Sequence, residues 1–451
     1  MKKITKTFIA ILLCFCTVIT FTACKPNLSK TTVDTTDVLS NGGISVYHDG
    51  WLYFINGSVD VDSADLKGVV VNGGIYRVMA DENGAILYET TTDENGNETK
   101  SIKKLQPVIN KLVGYKYGSL KIYGDYLYYT TPCTEKNKSG EMLTGKTEFR
   151  RYDLVNKVDQ LIYTTKSSDD TLTYDYVKKG EELYLVIFEG NEGTLTSLSI
   201  GDKIVTAFYK TDVQSLVISE NDETVADGYI YFTLSFDSNS ALRRGVRVYK
   251  VLPDGSGEVK LSEGESVTIL TVKGGRLLYS CDSYIFSIQI TDGEDSLSFD
   301  SSAIVCTKNY ENIIFLEENN KLSVLVYENE MLRRITWDNG AFTNQDLHEF
   351  DNGDELTFVG VDGDWVVYTI SSKVYKSRYK NITTENQDDK MPILLSTTEV
   401  SEADELMAPE IVNGYVYAFS ENSLTSKTYL YRISLEKPET ATSAEFVGKA
   451  E

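Results

Sequence analysis

The chain has 451 residues, a quarter of them charged, with 67 acidic against 44 basic side chains and a formal charge of −23. That balance excludes nucleic acid as a partner, because a phosphate backbone is bound by a basic face that displaces its counterions. It also disfavours docking on anionic lipid, while solubility, divalent cations and basic partners stay compatible with it.

The first element is an export signal. Met1 to Lys6 carries three lysines and no acid, an apolar stretch runs from Phe8 to Ile19, and Thr20-Phe-Thr-Ala-Cys24 follows. A basic start, a short apolar core and a small residue before the cut are the parts of a secretory signal. Twelve apolar residues are too few for the roughly twenty that a membrane-crossing helix needs. Phe21-Thr22-Ala23-Cys24 resembles the lipobox of bacterial lipoproteins, although the family usually has Leu where Phe21 stands. The resemblance implies cleavage before Cys24, lipid on its thiol and a place on the outer side of the cell membrane. One acyl chain holds marginally and two hold stably, at about 0.8 kcal/mol per buried methylene. Removing residues 1–23 removes three lysines and no acid, so the formal charge becomes −26.

Lys25 to Ser40 is polar, rich in Ser and Thr, and without apolar periodicity. It reads as a flexible tether with a root-mean-square reach of roughly 20–25 Å. The expected organisation is a signal peptide over 1–23, a lipidated N-terminus and tether over 24–41, and one repeat domain over 42–451.

That domain is legible as a repeat. A turn with Gly, Asp or Asn followed by a short aromatic and aliphatic strand recurs eight times. Examples are Asp49-Gly-Trp-Leu-Tyr-Phe54, Gly124-Asp-Tyr-Leu-Tyr-Tyr129, Asp227-Gly-Tyr-Ile-Tyr-Phe232, Gly363-Asp-Trp-Val-Val-Tyr368 and Asn413-Gly-Tyr-Val-Tyr-Ala418. With Trp51, Tyr126, Glu182, Tyr229, Arg276, Asn312, Trp365 and Tyr415 equivalent, the steps are 75, 56, 47, 47, 36, 53 and 50. Second strands follow, such as Gly74-Ile-Tyr-Arg-Val78, Arg247-Val-Tyr-Lys-Val251 and Tyr429-Leu-Tyr-Arg-Ile-Ser434. Val, Ile and Tyr strands separated by Asp-Gly and Asn-Gly turns are hairpin chemistry.

A unit of about 50 residues cannot cover both faces of its own small sheet and must stack on its neighbours, which radially makes a propeller. The expected fold class is therefore all-β, a β-propeller of eight blades. Seven blades are the runner-up, because a step of 36 is tight for four strands. Phe446-Val447 is expected to pair with the first blade and close the ring. Asp-Gly-Trp-Leu-Tyr-Phe followed by Ile-Tyr-Arg-Val resembles an uncharacterised repeat domain of secreted Gram-positive lipoproteins, similar to the propeller of low-density-lipoprotein receptors. The resemblance covers most of residues 42–436, implies a fold and a location, and brings no catalytic residues.

The candidates for chemistry are few. Gly140-Glu-Met-Leu-Thr-Gly-Lys146-Thr147 fits the P-loop pattern, which requires a following helix; here a strand follows, so a flexible loop and no nucleotide are expected. His48 and His348 are the only histidines, and ordinary turn or edge positions are expected for both. Asp60, Asp62 and Asp65 share a loop, and Asp93, Asn95 and Asn97 begin like a calcium loop but have Glu98 where Gly is required. Solvated turns are the expectation, with no metal and no cofactor. Gly255-Ser-Gly257 belongs to an Asp-Gly turn, and the recurring Tyr and Trp are expected between blades. Cys133, Cys281 and Cys306 are an odd set in the mature chain, read as isolated thiols, with a Cys281–Cys306 bridge left open. Nothing picks a catalytic carboxylate pair out of 67 acids. The only assigned site residue is Cys24, for lipid.

The expected function is a monomeric, non-catalytic binding or scaffolding module for a protein or glycan partner, and not an enzyme. The alternative is a carbohydrate-active enzyme, a glycoside hydrolase or lyase, on the same fold. The turns Ile55–Gly73, Thr130–Glu148 and Thr233–Gly245 are long and fall on one face of the ring, where binding residues are expected.

Overall fold

The structure, a computed structural model, describes residues 43–57, 72–81, 86–113, 120–168, 171–219, 228–237, 244–264, 267–291, 293–307, 312–318, 321–338, 340–351, 355–370, 373–380, 391–395, 406–412, 414–422, 427–436 and 445–449. These residues form eight antiparallel four-stranded sheets, each built as a meander from an innermost to an outermost strand. Blade one runs from Ser45–His48 to Gln106–Ile109, blade two from Lys121–Tyr123 to Val158–Thr164, and blade three from Leu172–Lys179 to Ile204–Lys210. Blade four spans Val213–Ser219 to Val259–Gly264, and blade five Thr268–Lys273 to Ala303–Thr307. Blade six spans Asn312–Glu318 to Ala341–Glu349, blade seven Leu356–Asp362 to Ile393–Leu394, and blade eight Leu406–Val412 to Glu445–Lys449. Innermost strands contact those of neighbouring blades around the ring, and blade eight returns to blade one. The chain is an eight-bladed β-propeller.

The second strand of each blade lies between two neighbouring sheets, so both of its faces are covered. Tyr126–Pro132 is buried at every position and Trp51–Ile55 at all but the first. That is why these strands read as continuous aromatic and aliphatic runs rather than as alternating ones. The turn before the first of them needs φ > 0 at both central residues, which Asp49 (φ 47°) and Gly50 (φ 75°) supply.

The recurring aromatics have a further role. In five blades the first aromatic of the second strand lies beneath a cation of the third: Arg77 over Trp51 at 4.0 Å, Arg151 over Tyr126 at 4.6 Å, Lys250 over Tyr229 at 5.4 Å, Lys376 over Trp365 at 4.7 Å and Arg432 over Tyr415 at 4.8 Å. At four junctions a third-strand side chain donates to a carbonyl just beyond the third strand of the next blade. Arg151 Nη2 reaches Gly201 O at 3.0 Å, Ser197 Oγ reaches Pro253 O at 2.6 Å, Arg334 Nη1 reaches Tyr379 O at 3.2 Å and Lys376 Nζ reaches Leu435 O at 2.7 Å. The ring is thus stapled by polar bonds as well as by apolar packing.

Three sequence expectations are corrected or resolved. In blade six the hallmark copy at Asn312 is the innermost strand, and the second strand is Lys321–Glu328. Second strands therefore start at 51, 126, 182, 229, 276, 321, 365 and 415, so the steps after Arg276 become 45, 44 and 50 and the tight one disappears. The strand containing Phe446 does not close the ring on blade one. It pairs inside blade eight, Tyr431 opposite Phe446, as that blade's outermost strand. Cys281 and Cys306 form no disulfide with each other. They lie on the second and fourth strands of blade five, two strand spacings of about 4.8 Å apart, beyond the usual Cα span of a disulfide.

Among the described residues no strand crosses from blade eight to blade one, and side chains join the two blades at the seam. Ser45 Oγ donates to Glu410 Oε1 at 2.7 Å, and the carboxyl is buried at 6 % exposure. Glu410 follows a bulge in its strand, with Ala408 at φ 49°. Its other oxygen, Oε2, lies against Gly43, where a Cβ would come within 1.5 Å of it. Burial pushes the carboxyl up to about 8, against the opposing bonds from Ser45 and the Ile44 amide.

Candidate functional site

Period-2 alternation decides which side chains meet between blades one and two. Arg151 points to blade three, so its neighbours Arg150 and Tyr152 take the opposite face, toward blade one. Tyr53 and Arg77 are directly opposed in blade one. They bond at 3.4 Å, and Arg77 Nη2 also donates to Gln106 Oε1 at 3.1 Å.

On the blade-two side, Arg150 gathers two carboxylates. Its Nε lies 3.1 Å from both Asp159 oxygens, its Nη2 3.0 Å from Oδ2, and its Nη1 2.7 Å from Glu148 Oε2. Tyr129 donates its hydroxyl to Asp159 Oδ1 at 2.8 Å, and Lys111 Nζ stands 3.8 Å from Oδ2. Burial, and then the charge of Asp159, raise the Tyr129 phenol far above its ordinary range, so it stays a neutral donor. Tyr152 is raised too, by burial first, with Arg77 opposing.

Glu148 lies at the rim of the long turns, whereas Asp159, opposite Tyr152, follows the turn between the third and fourth strands at the other end of the blade, and Arg150 spans the distance between them. Glu148 is opposite Thr131, at the ends of the strands that flank residues 133–146. Thr131 Oγ1 donates to Leu112 O at 2.7 Å, which ties that rim to the connection from blade one. Glu148 is 5 % exposed, whereas the side chains of Asp159 and Lys111 are open at 24 % and 37 %. Junctions two–three and six–seven each hold a carboxylate of their own. Glu189 takes bonds from Tyr163 OH at 2.7 Å and the Lys166 amide at 2.8 Å, and Glu318 pairs with Lys380 at 3.1 Å and with Arg334.

The remaining sequence candidates are placed as follows. Cys24 and the segment 1–41 lie outside the described residues, as do Asp60, Asp62 and Asp65. Gly140–Thr147 forms turns closed by the Lys136–Met142 bridge and runs into a strand at Thr147, with no helix for phosphate. Lys146 N donates to Leu143 O at 2.9 Å within that turn. Asp93 caps its own hairpin turn, accepting from the amides of Asn95 at 2.9 Å and Asn97 at 2.8 Å. His48 is on blade one and His348 on blade six, the latter against Phe350 with ring centroids at 4.6 Å. Among the described residues no group of three or more His, Cys, Asp or Glu could hold a metal ion. The Glu148–Arg150–Asp159 set was not picked out in the sequence. Its one local signal is Glu148-Phe-Arg150, a carboxylate and a cation on the same face of a strand.

No family model matches the chain, and no curated protein matches it. Solved structures do. A post-proline cleaving enzyme from Rickettsia typhi is 12 % identical over 87 % of this chain and 57 % of its own, with a TM-score of 0.45. An oligogalacturonate lyase in complex with manganese is 12 % identical over 78 % and 97 %, with a TM-score of 0.43. The β-propeller domain of the Trilobed protease from Pyrococcus furiosus, described as having an open velcro topology, is 10 % identical over 78 % and 98 %, with a TM-score of 0.38. The chain spans about half the length of the prolyl endopeptidases it matches (49 %).

These neighbours correct the expectation of a non-catalytic module that is not an enzyme, since peptidases and a lyase are among the structures this chain is similar to. Likeness at this level carries no residue and no reaction over to this chain.

Proposed function

We propose that this chain is an extracytoplasmic lipoprotein, held to the membrane by lipid on Cys24, whose propeller is a carbohydrate-active enzyme. The anchor is supported by the basic start, the short apolar core and Phe21-Thr-Ala-Cys24. The resemblance to repeat domains of secreted lipoproteins supports the same location.

One observation carries the catalytic reading: Glu148 and Asp159 meet on the Arg150 guanidinium, on the face of blade two that looks toward blade one. Glycosidic cleavage uses two carboxyl groups, about 5–5.5 Å apart with retention and about 6.5–9.5 Å apart with inversion. Glu148 Oε2 and Asp159 Oδ2 are bonded at 2.7 and 3.0 Å to the two terminal nitrogens of one guanidinium, which brings them onto one small group. Asp159 accepts from Arg150 and Tyr129 and is the more exposed member of the pair. Glu148, more deeply buried, is held by Arg150 at 2.7 Å. Tyr152 offers a partly exposed ring beside them for a sugar face.

The test is turnover of a panel of neutral and acidic polysaccharides by residues 25–451. New reducing ends report hydrolysis, and unsaturated ends report elimination. Glu148→Gln and Asp159→Asn are each expected to lower turnover by about 10²- to 10⁴-fold, with the fold checked by circular dichroism. A wild-type chain inert across the panel, or folded variants with unchanged turnover, would refute the reading.

A further inference from the structure

The cations that lie over the second-strand aromatics are not all used alike. Arg151 and Lys376 are buried, and each donates to a carbonyl of the following blade, Gly201 O at 3.0 Å and Leu435 O at 2.7 Å. Arg77 occupies the matching place in blade one, 4.0 Å over Trp51, but it is only half-buried and its bonds stay within its own blade. Its Nη1 reaches Tyr53 OH at 3.4 Å, and its Nε and Nη2 reach Gln106 Oε1 at 3.3 and 3.1 Å. Both partners are neutral, and among the described residues no carboxylate bonds this guanidinium. A guanidinium has five N–H donors, so two of them remain for a ligand. A cation partly withdrawn from water and not neutralised by its own protein attracts an anion more strongly than an exposed one does.

Arg77 is opposite Gln106, the first residue of the fourth strand of blade one, and Asp159 stands near the start of the fourth strand of blade two. The two therefore lie at the same end of adjacent blades, the end away from the long turns. Tyr152, opposite Asp159, feels the charges of both Arg77 and Asp159 across the junction. Glu148 is four residues back along the strand of Tyr152, about 13 Å at 3.3 Å per residue. A sugar chain laid along the junction from Glu148 past Asp159 thus meets Arg77. We infer that Arg77 takes the anionic group of an acidic sugar there, a uronate carboxylate or a sulfate ester. The inference rests on the glycan reading above. The guanidinium fork matches two oxygens of such a group. Tyr53, whose phenol burial holds above its ordinary range, stays neutral and keeps a proton to donate beside it. The formal charge of −23 opposes anions at long range, but salt screens that field beyond about 8 Å, and inside that distance the guanidinium with neutral partners governs.

The experiment measures binding to the mature chain by titration calorimetry. The probes are oligosaccharides of galacturonate, glucuronate and mannuronate, each beside its own carboxyl-reduced, neutral counterpart and a sulfated form of that counterpart. At least one charged oligomer is expected to bind about tenfold or more tighter than the neutral chain of the same linkage. Preference for the carboxylated or for the sulfated form names the group that Arg77 takes. Arg77→Gln is expected to erase most of that preference and to leave the affinity for the neutral chain unchanged. Arg77→Lys, which keeps a charge over Trp51 without the fork, is expected to fall between the two. Charged oligomers that bind no better than neutral ones, or a preference that survives in Arg77→Gln, would overturn the inference. The first comparison uses the wild type alone, so it decides even if the variants lose their fold. Turnover confined to neutral glycans in the polysaccharide panel would overturn the inference and leave the catalytic reading standing. Arg77-dependent binding by a chain inert across the panel would uphold the anion site without the catalysis.

Discussion

Glu410 bonds across the seam where blade eight meets blade one, and its burial makes that seam pH-dependent. Its folded value of about 8 lies above the ordinary 4.5. Its contribution is therefore fully present below pH 4.5 and is lost as pH rises through 8. Tyr417, directly opposite, and Arg432, bonded to that tyrosine, are the ionisable groups that face it from blade eight; Ser45 faces it from blade one. Denaturant midpoints at pH 5 and pH 9 are expected to differ for the wild type by an amount on the order of a few kcal/mol. In Glu410→Gln that difference should shrink, and a variant with the wild-type pH profile would show that another group controls it. Lys376 makes a different kind of claim. Replacing it by Met keeps the packing on Trp365 but removes the donor to Leu435 O. A buried carbonyl left without its donor costs about 1–3 kcal/mol, readable as a lower melting temperature. No loss would mean that water takes the place of the ammonium.

The turn over residues 133–146 of blade two adds length without adding core. Its inner residues bond mostly to one another, as in Asn137 N to Glu141 O at 2.8 Å and Lys146 N to Leu143 O at 2.9 Å. Replacing 134–145 by Asn-Gly is expected to leave the melting temperature nearly unchanged, since loop-closure entropy grows only logarithmically. It should abolish glycan turnover, because the turn stands over Glu148; unchanged turnover would put the substrate elsewhere. The elements themselves were largely readable. Glycine-containing turns before apolar strands mark the second strands of seven blades, with Asp-Gly or Asn-Gly in three of them. Blade six escapes because its second strand, Lys321–Glu328, lacks that turn chemistry, and the pattern was matched instead on its first strand at Asn312. The insertion in blade one is a hairpin, Tyr88–Thr92 with Glu98–Ile102, whose Thr-rich, exposed strands carry no core signal. The candidate site was hidden for another reason. Glu148, Arg150 and Asp159 come together only when strand alternation and register are both known, and Arg150 rather than Arg151 turns to that face.

In the whole ring, the N-terminus proposed to carry lipid enters on the face of the long turns, and Ser45 and Glu410 join the first and last blades. Loss of lipidation should separate these parts. Cys24→Ala is expected to release the domain or leave an unprocessed precursor, with no incorporation of labelled fatty acid. Label persisting in that variant would place the lipid elsewhere. The central claim is that glycan is engaged at the junction between blades one and two, and amide hydrogen exchange tests it most directly. Glu148→Gln, which should bind without turning over, is incubated with the best glycan from the panel and compared with the free protein. Slowed exchange is expected in peptides covering 106–113 and 131–152. Protection confined to other blades would contradict it.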